Sequence, residues 1–412
     1  MHICPFFRIT IPFVVGIIIG WITLSYTAAI LFAASGLVVW ILGILCEHKE
    51  IYNNRHIKGI ALSLLLTASG TAVYNASLPT ELAGIKQVSS YQIYKLNKNA
   101  TPSAIEVKAL QIRESLIGIY RKYISNDNVG IISALTLGKK DDLSKDTRQI
   151  FSLAGGSHVL AVSGLHVGII YAIILGLLSF IPHSQIGNIT RHSIVILCLW
   201  FYAFICGLPA SVVRSAFMFS LISGAYILGK CNYSLNAVFV SAFFMLLYKP
   251  LYMFDIGFQL SYAAVISILI FYPKLYSILK FQNKIMVWIW GMICVSAAAQ
   301  IGTLPITVYY FHQIPVYSIF TNFVVVPAAF IIIYVALALL VFSFIPPVAM
   351  LIGRLADVIT EMLCNGVAGI VNLPYSVISD IHIDFYIVLL MFAIIFTAYY
   401  IINSAKIRNF VG

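Results

Sequence analysis

The segment Gly155–Gly168, GGSHVLAVSGLHVG, sets two serines and two histidines in an otherwise apolar run. A serine within reach of a histidine makes a nucleophile and its base. A histidine at membrane depth caps a carbonyl, binds a metal or lines a wet path. His158 and His166 are eight residues apart in what reads as one helix, with no Asp or Glu beside them, which is not a zinc-ligand spacing. Ser163 and His166, three apart, share a helix face. On a common helix their mutual geometry is poor for proton transfer, so a nucleophilic Ser163 needs a base from another span, of which His312 is the obvious candidate. Gly164 and Gly168 make a GxxxG step that admits a second helix, and Gly155 and Gly156 are assigned to helix packing with them.

These residues must be positioned by membrane helices. The 412 residues are 61% hydrophobic and 9% charged, against roughly 25% charged in soluble domains. The long, continuous apolar runs exclude a transmembrane barrel. Runs long enough to span fall at about 10–25, 27–46, 57–78, 157–181, 192–207, 210–229, 234–249, 256–273, 285–304, 316–344 and 385–404. Residues 348–372 are helical too and carry Arg354, Asp357 and Glu361 on one face. That segment either crosses with the face toward protein or water, or lies on the surface. The expected fold is an all-α polytopic membrane protein of about 11–12 transmembrane helices, with a small extracytoplasmic segment and amphipathic helices. The first run reads as a retained span rather than a cleaved signal.

Four regions are expected: N-terminal spans (1–78), a short extracytoplasmic segment with an amphipathic helix (79–128), a transmembrane core (129–404) and a basic tail (405–412). Residues 79–156 hold 11 Lys/Arg and 7 Asp/Glu. Within them, Ser103–Gln111 reads as a short strand. Ile112, Leu116, Ile119, Tyr120 and Tyr123 recur at helical spacing. An apolar helix follows near 129–137, then a solvated loop, Lys139–Asp146, and a short helix leading into Gly155. Pro209 and Pro305 punctuate spans. The seven cysteines show no metal or disulfide pattern, no Walker-type phosphate loop is present, and neither metal nor cofactor is expected.

The net charge of +11 has two readings, cytoplasmic loop anchoring and a polyanionic partner. Lys49, Arg55 and Lys58, then Lys274, Lys280 and Lys284, then Lys406 and Arg408, all fall inside if 348–372 crosses. Both termini are then cytoplasmic and 79–156 lies outside. In that orientation His158, Ser163, His166, Arg214, Asp255, Gln259, Gln300 and Asn322 share the outer half of the membrane or its midplane. Polar residues gathered at one depth suggest an outward-facing, water-filled funnel. Arg214 and Asp255 lie at similar depth, either as an ion pair or with Arg214 free to attract anions.

The run GGSHVLAVSGLHVGII resembles the signature of the ComEC competence family, the inner-membrane DNA channel of natural transformation. SALTLGKKDDLSKDTRQIFSLAGG upstream resembles that family's lead-in. LPASVVRSAFM, FDIGFQLSYAAV, AAAQIGTLPITVYYF and NFVVVP follow in the family's order. The resemblance covers roughly 111–344. It implies a multi-pass protein of the bacterial cytoplasmic membrane that passes one DNA strand inward, and not an enzyme. His158, Ser163, His166, Arg214, Asp255, Gln259 and Gln300 fall at its motif positions. Longer members carry an OB-like domain and many carry a metallo-β-lactamase-like domain. This chain is expected to be a shortened member, with no complete OB-like domain in the 79–110 gap and no metal-binding motif. Its implied partners are single-stranded DNA, membrane lipids, an extracytoplasmic DNA receptor, a separate nuclease and a cytoplasmic motor, with a homo-oligomer allowed. Tyr91, Tyr94, Tyr120 and Tyr123 are candidates to stack on bases or to anchor at the interface. Two other functions stay open: a carrier for a small anionic solute and an intramembrane serine hydrolase.

Overall fold

The structure is a computed structural model that describes residues 5–47, 55–78, 104–156, 159–160, 162–182, 184–229 and 234–411. It is all-α apart from one two-residue strand pair. Among the described residues, seven helices are long and apolar enough to cross a membrane, and four shorter apolar helices accompany them. The apolar runs read from the sequence are helical over most of their described residues, and the exception is 157–181, whose described residues before Gly164 are not. The chain is a multi-pass membrane protein. It divides into two compact units, residues 1–101 with 224–259, and residues 102–223 with 260–412.

In the first unit, α1 (Pro5–Thr23) and α3 (Arg55–Ser77) meet backbone to backbone. A Cβ on Gly16 would lie 2.1 Å from the Thr67 carbonyl oxygen, and one on Gly70 would lie 2.2 Å from that of Phe13. No residue but glycine fits at either point. Helix α2 (Tyr26–Glu47) packs on α3. Its outward residues Ile30, Leu31, Val38 and Ile41 are exposed, as a lipid-facing surface requires. Later helices are α7 (Gly164–Leu177), α8 (Gln185–Ile205), α9 (Ala210–Ile227) and α10 (Ser234–Tyr248). Helix α10 joins α1 through the Asn236 side chain, which accepts from the Phe6 amide at 3.0 Å, and through Thr10, which donates to the Phe239 carbonyl at 3.0 Å.

The second unit begins with α4 (Ala104–Tyr123), α5 (Asn126–Leu137) and α6 (Lys145–Leu153). The strand expected at Ser103–Gln111 is replaced by the first half of α4. Its two β-branched residues, Ile105 and Val107, are outweighed by alanine, leucine, lysine and glutamine, which favour helix. Helix α5 is buried from Asn128 to Leu137. The core that covers it joins Ile117, Tyr120, Ile132 and Leu135 to Ala329, Ile332 and Ala336 of α13 (Ser318–Phe342). The remaining elements are α11 (Ile256–Tyr276), α12 (Lys284–Phe311), α14 (Pro346–Val371) and α15 (Phe385–Val411). Pro305 lies inside α12 and does not end it, whereas Pro209 directly precedes α9.

Helices α13 and α14 form an antiparallel hairpin. Only three residues join them, and at the far end β1 (Ile314–Pro315) pairs antiparallel with β2 (Val377–Ile378). The buried residues of α14 (Ala349, Gly353, Ala356, Thr360, Leu363 and Val367) recur every three or four residues along its whole length. At 1.5 Å per residue, α13 and α14 are about 37 and 39 Å long, enough for each to cross a hydrocarbon layer of about 30 Å.

Candidate functional site

The run expected to be one helix over 157–181 is divided. Helix α7 starts only at Gly164 and has 14 residues, about 21 Å, too short to cross alone. Among the described residues, 154–163 are non-helical. The cause lies in the sequence. Gly155 has φ +77°, and a Cβ there would meet Pro315 and Ser318 at 2.8 Å, so the chain turns sharply against the start of α13. Val159, Leu160 and Val162 then keep an apolar composition without a helix. At membrane depth such backbone is tolerated only where protein covers it or water reaches it.

Ser163 is extended, with φ −111° and ψ 177°, and caps α7. Its amide donates to His166 Nδ1 at 3.0 Å, and its Oγ lies 2.9 Å from the same nitrogen. The poor geometry expected for this pair is thereby corrected. Ser163 lies off the helix, which lets its side chain face the buried imidazole at the third helical position. His158 lies outside the described residues.

The end of this loop is tied to α9. Ser211 Oγ donates to the Val162 carbonyl at 2.8 Å, and Gly164 approaches Ser215 Oγ. Gly168 faces the Phe219 ring of α9. Arg214 is buried on α9, between Ser211 and Ser215 in sequence. The start of the loop is tied to α12 and α13. Gly156 packs between Phe151 and Thr321, and Ser152 bonds Gln313 at 3.1 Å. Gln300 donates to Ser318, and Asn322 donates to Ser296 at 3.2 Å. The Asn322 Oδ1 is buried with no partner among the described residues. Loop 154–163 thus gathers the N-terminal ends of α7, α9 and α13, each with free amides and a partial positive charge.

Asp255 and Gln259 belong to the first unit. Asp255 accepts from the Phe258 amide at 2.7 Å and caps α11, while Gln259 donates to the Met253 carbonyl at 2.9 Å. Both are thus engaged locally. Sequence reasoning overlooked Ser211, Ser296 and Ser318, which partner the loop and the two amides. Their one signal was a hydroxyl within a helical turn of a polar residue already singled out. Among the described residues no group of three or more His, Cys, Asp or Glu could hold a metal.

The loop Lys139–Ser144 adds a charged network. Lys139 bridges Glu114 at 2.7 Å and Asp142 at 3.4 Å, and Arg121 reaches Asp142 at 3.0 Å. Burial, aided by the Arg148 guanidinium, pushes the Lys140 amine below the usual lysine range.

A family model described as Competence protein matches residues 135–404, from the end of α5 through most of α15. The chain belongs to the competence protein family. Every described polar residue considered above for a water path lies inside the match. This competence-family chain is 33% identical over 245 residues to ComE operon protein 3 of Bacillus subtilis, covering 58% of the chain and 29% of that protein. It is 22% identical over 252 residues to Recombination protein 2 of Haemophilus influenzae, covering 59% of the chain and 31% of that protein. An uncharacterized protein of Aquifex aeolicus is 27% identical over 161 residues, 39% of the chain and 37% of that protein. The chain spans about a third of the length of these curated relatives. No solved structure matches.

Proposed function

We propose that this chain is a membrane channel component that passes one DNA strand into the cytoplasm during natural transformation, and that it performs no catalysis itself. Family membership supports the reading, and one structural observation carries it. Three helix N-termini and the buried Arg214 and His166 meet around an irregular loop that divides a membrane segment. Helix N-termini suit phosphate without the tight grip of clustered lysines, and a conduit has to release what it binds. With α14 crossing beside α13, the basic loops lie on the cytoplasmic side and the Ser318 end opens outward. His158, Ser163, His166, Arg214, Gln300 and Asn322 then line the path, and Gly155, Gly156, Gly164 and Gly168 pack the helices around it, while Asp255 and Gln259 serve the start of α11. An outside DNA receptor, a separate nuclease and a cytoplasmic motor complete the system. The test is complementation of a deletion strain. Arg214→Ala and His166→Ala are expected to insert normally and abolish transformation. Wild-type transformation in both variants would remove these residues from the path.

One observation favours a second reading. The 2.9 Å separation of Ser163 Oγ and His166 Nδ1 is what an activated serine requires. The same nitrogen already accepts the Ser163 amide, which is the arrangement of a helix cap. Labelling by a fluorophosphonate that disappears in Ser163→Ala would restore the hydrolase, and absence of labelling supports the cap.

A further inference from the structure

Helices α4 and α5 form a hairpin in the second unit. The Arg113 guanidinium donates to the Cys206 carbonyl at 3.2 Å, near the α8–α9 turn. Further along α4, the Tyr120 and Tyr123 hydroxyls reach the carbonyls of Ala336 and Ser343, at the opposite end of α13 from Ser318. Helix α5 then runs back, and α6 returns the chain to Gly155 beside Ser318. The hairpin tip is held by α14. Gly353 lets the Tyr123 carbonyl approach to 2.2 Å of where a Cβ would stand. Asp357 accepts from the Ser125 amide at 3.1 Å, from Ser125 Oγ at 2.6 Å and from Asn128 at 2.8 Å. So the tip, with exposed Arg121, Lys122, Asn126 and Asp127, sits at the level of the middle of α14.

Helix α14 has three faces. At 100° per residue, Ala349, Gly353, Ala356, Thr360, Leu363 and Val367 occupy about 80° turned toward protein, and all are buried. Val358, Leu351, Met362 and Leu355 occupy about 60°, all exposed and apolar, as lipid requires. Between them, Asp357, Glu361, Arg354 and Asn365 occupy about 80° and are polar. Arg354, Glu361 and Asn365 are exposed and have no hydrogen bond or ion pair among the described residues. Arg354 and Glu361 lie about 12 and 22 Å along a helix about 39 Å long, so they straddle its centre. With α14 crossing, as the channel reading has it, these charges lie at mid-depth, where hydrocarbon does not tolerate open charge.

We propose that this stripe and the α4–α5 tip line a water-filled cleft that reaches the middle of the membrane, forming a wall of the conduit separate from loop 154–163. Lys122, Arg354 and Arg121, whose guanidinium also bridges Asp142, line it with the carboxylates Asp127, Asp357 and Glu361. Their balance leaves a weak net potential, which suits passage rather than retention. The inference extends the channel reading, but its test needs no cargo and no transport. In a cysteine-depleted full-length chain in native membranes, Glu361→Cys and Asn365→Cys are probed with a membrane-impermeant charged methanethiosulfonate. Leu351→Cys and Leu355→Cys, on the apolar face, serve as references. The stripe positions are expected to react at least tenfold faster than the references. Equal rates on both faces would overturn the cleft. So would an unreactive stripe whose thiols instead link two chains by disulfide, because the stripe would then be an interface between copies. Asn365→Cys keeps the test decisive if removing the Glu361 charge impairs folding. Loss of transformation bears on the channel reading alone, and thiol accessibility bears on the cleft alone.

Discussion

In the first unit, α1 and α3 meet through their backbones, and the side chains of Thr10, Thr71 and Asn236 add single bonds between helices. Gly16 and Gly70 let α1 and α3 touch, and the Thr67 and Thr71 hydroxyls bond helix carbonyls at 2.9 Å. In the second unit, polar side chains reach between elements. Asp357 holds the α4–α5 tip, Tyr202 reaches the Thr136 carbonyl at 2.8 Å, Ser211 fixes loop 154–163, and Asn322 meets Ser296. Without a hydrophobic force between helices in lipid, close glycine packing is a sufficient way to build an anchor. The second method keeps polar atoms at membrane depth, where each must be satisfied or wet. The contrast supports the proposal that the strand's path runs through the second unit.

Substitutions can break this contrast, and the largest effect is expected at Asp357. Asp357→Ala removes a carboxylate acceptor from an amide, a hydroxyl and a carboxamide, and should cost about 3 kcal/mol. The readout is faster proteolysis near Ser125 in detergent. Asp255→Ala, which removes only a cap, should cost about 1 kcal/mol in the same assay. If the two variants behave alike, the hairpin tip is not latched.

Gly155→Ala should follow, at about 2 kcal/mol, from its left-handed backbone and its contacts with Pro315 and Ser318. Melting of the purified variant reads this, and an unchanged Tm would show that the turn is not fixed by glycine. Thr71→Val is expected to be the mildest, at about 1 kcal/mol, since only the bond to the Gly16 carbonyl is lost between helices. It should lower folded yield slightly and leave transformation per inserted molecule unchanged. A specific transformation defect in Thr71→Val would erase the distinction between the units.

The apolar helices are legible in the sequence because hydropathy reports burial in lipid directly. Hydropathy does not report backbone conformation. VLAVSG is as apolar as a helix, so the late start of α7 and the Ser163–His166 contact were hidden in it. Ser103–Gln111 misled for the opposite reason. Its alternation of polar and apolar residues over a few positions fits a strand, but the helix propensity of its alanines, leucine, lysine and glutamine outweighs that pattern. Arg354, Asp357 and Glu361 were visible as one face. Which of them meets a partner became clear only when the α4–α5 tip was placed against Asp357.

The polar residues of the candidate path were also visible, because an arginine or histidine in an apolar run is expensive. A lone Arg at mid-membrane costs about 2.5–3.5 kcal/mol on insertion scales. Their engagements were not visible. Asp255 caps a helix in the first unit, and Arg214 is buried in the second.

The most direct test of the central claim follows labelled double-stranded DNA into a deletion strain that expresses the full chain, with signal normalised to inserted protein. Wild type and Thr71→Val are expected to accumulate labelled single strands in the cytoplasm, and Arg214→Gln is expected to accumulate none. Equal accumulation with Arg214→Gln would contradict the assignment of the strand's path to the second unit.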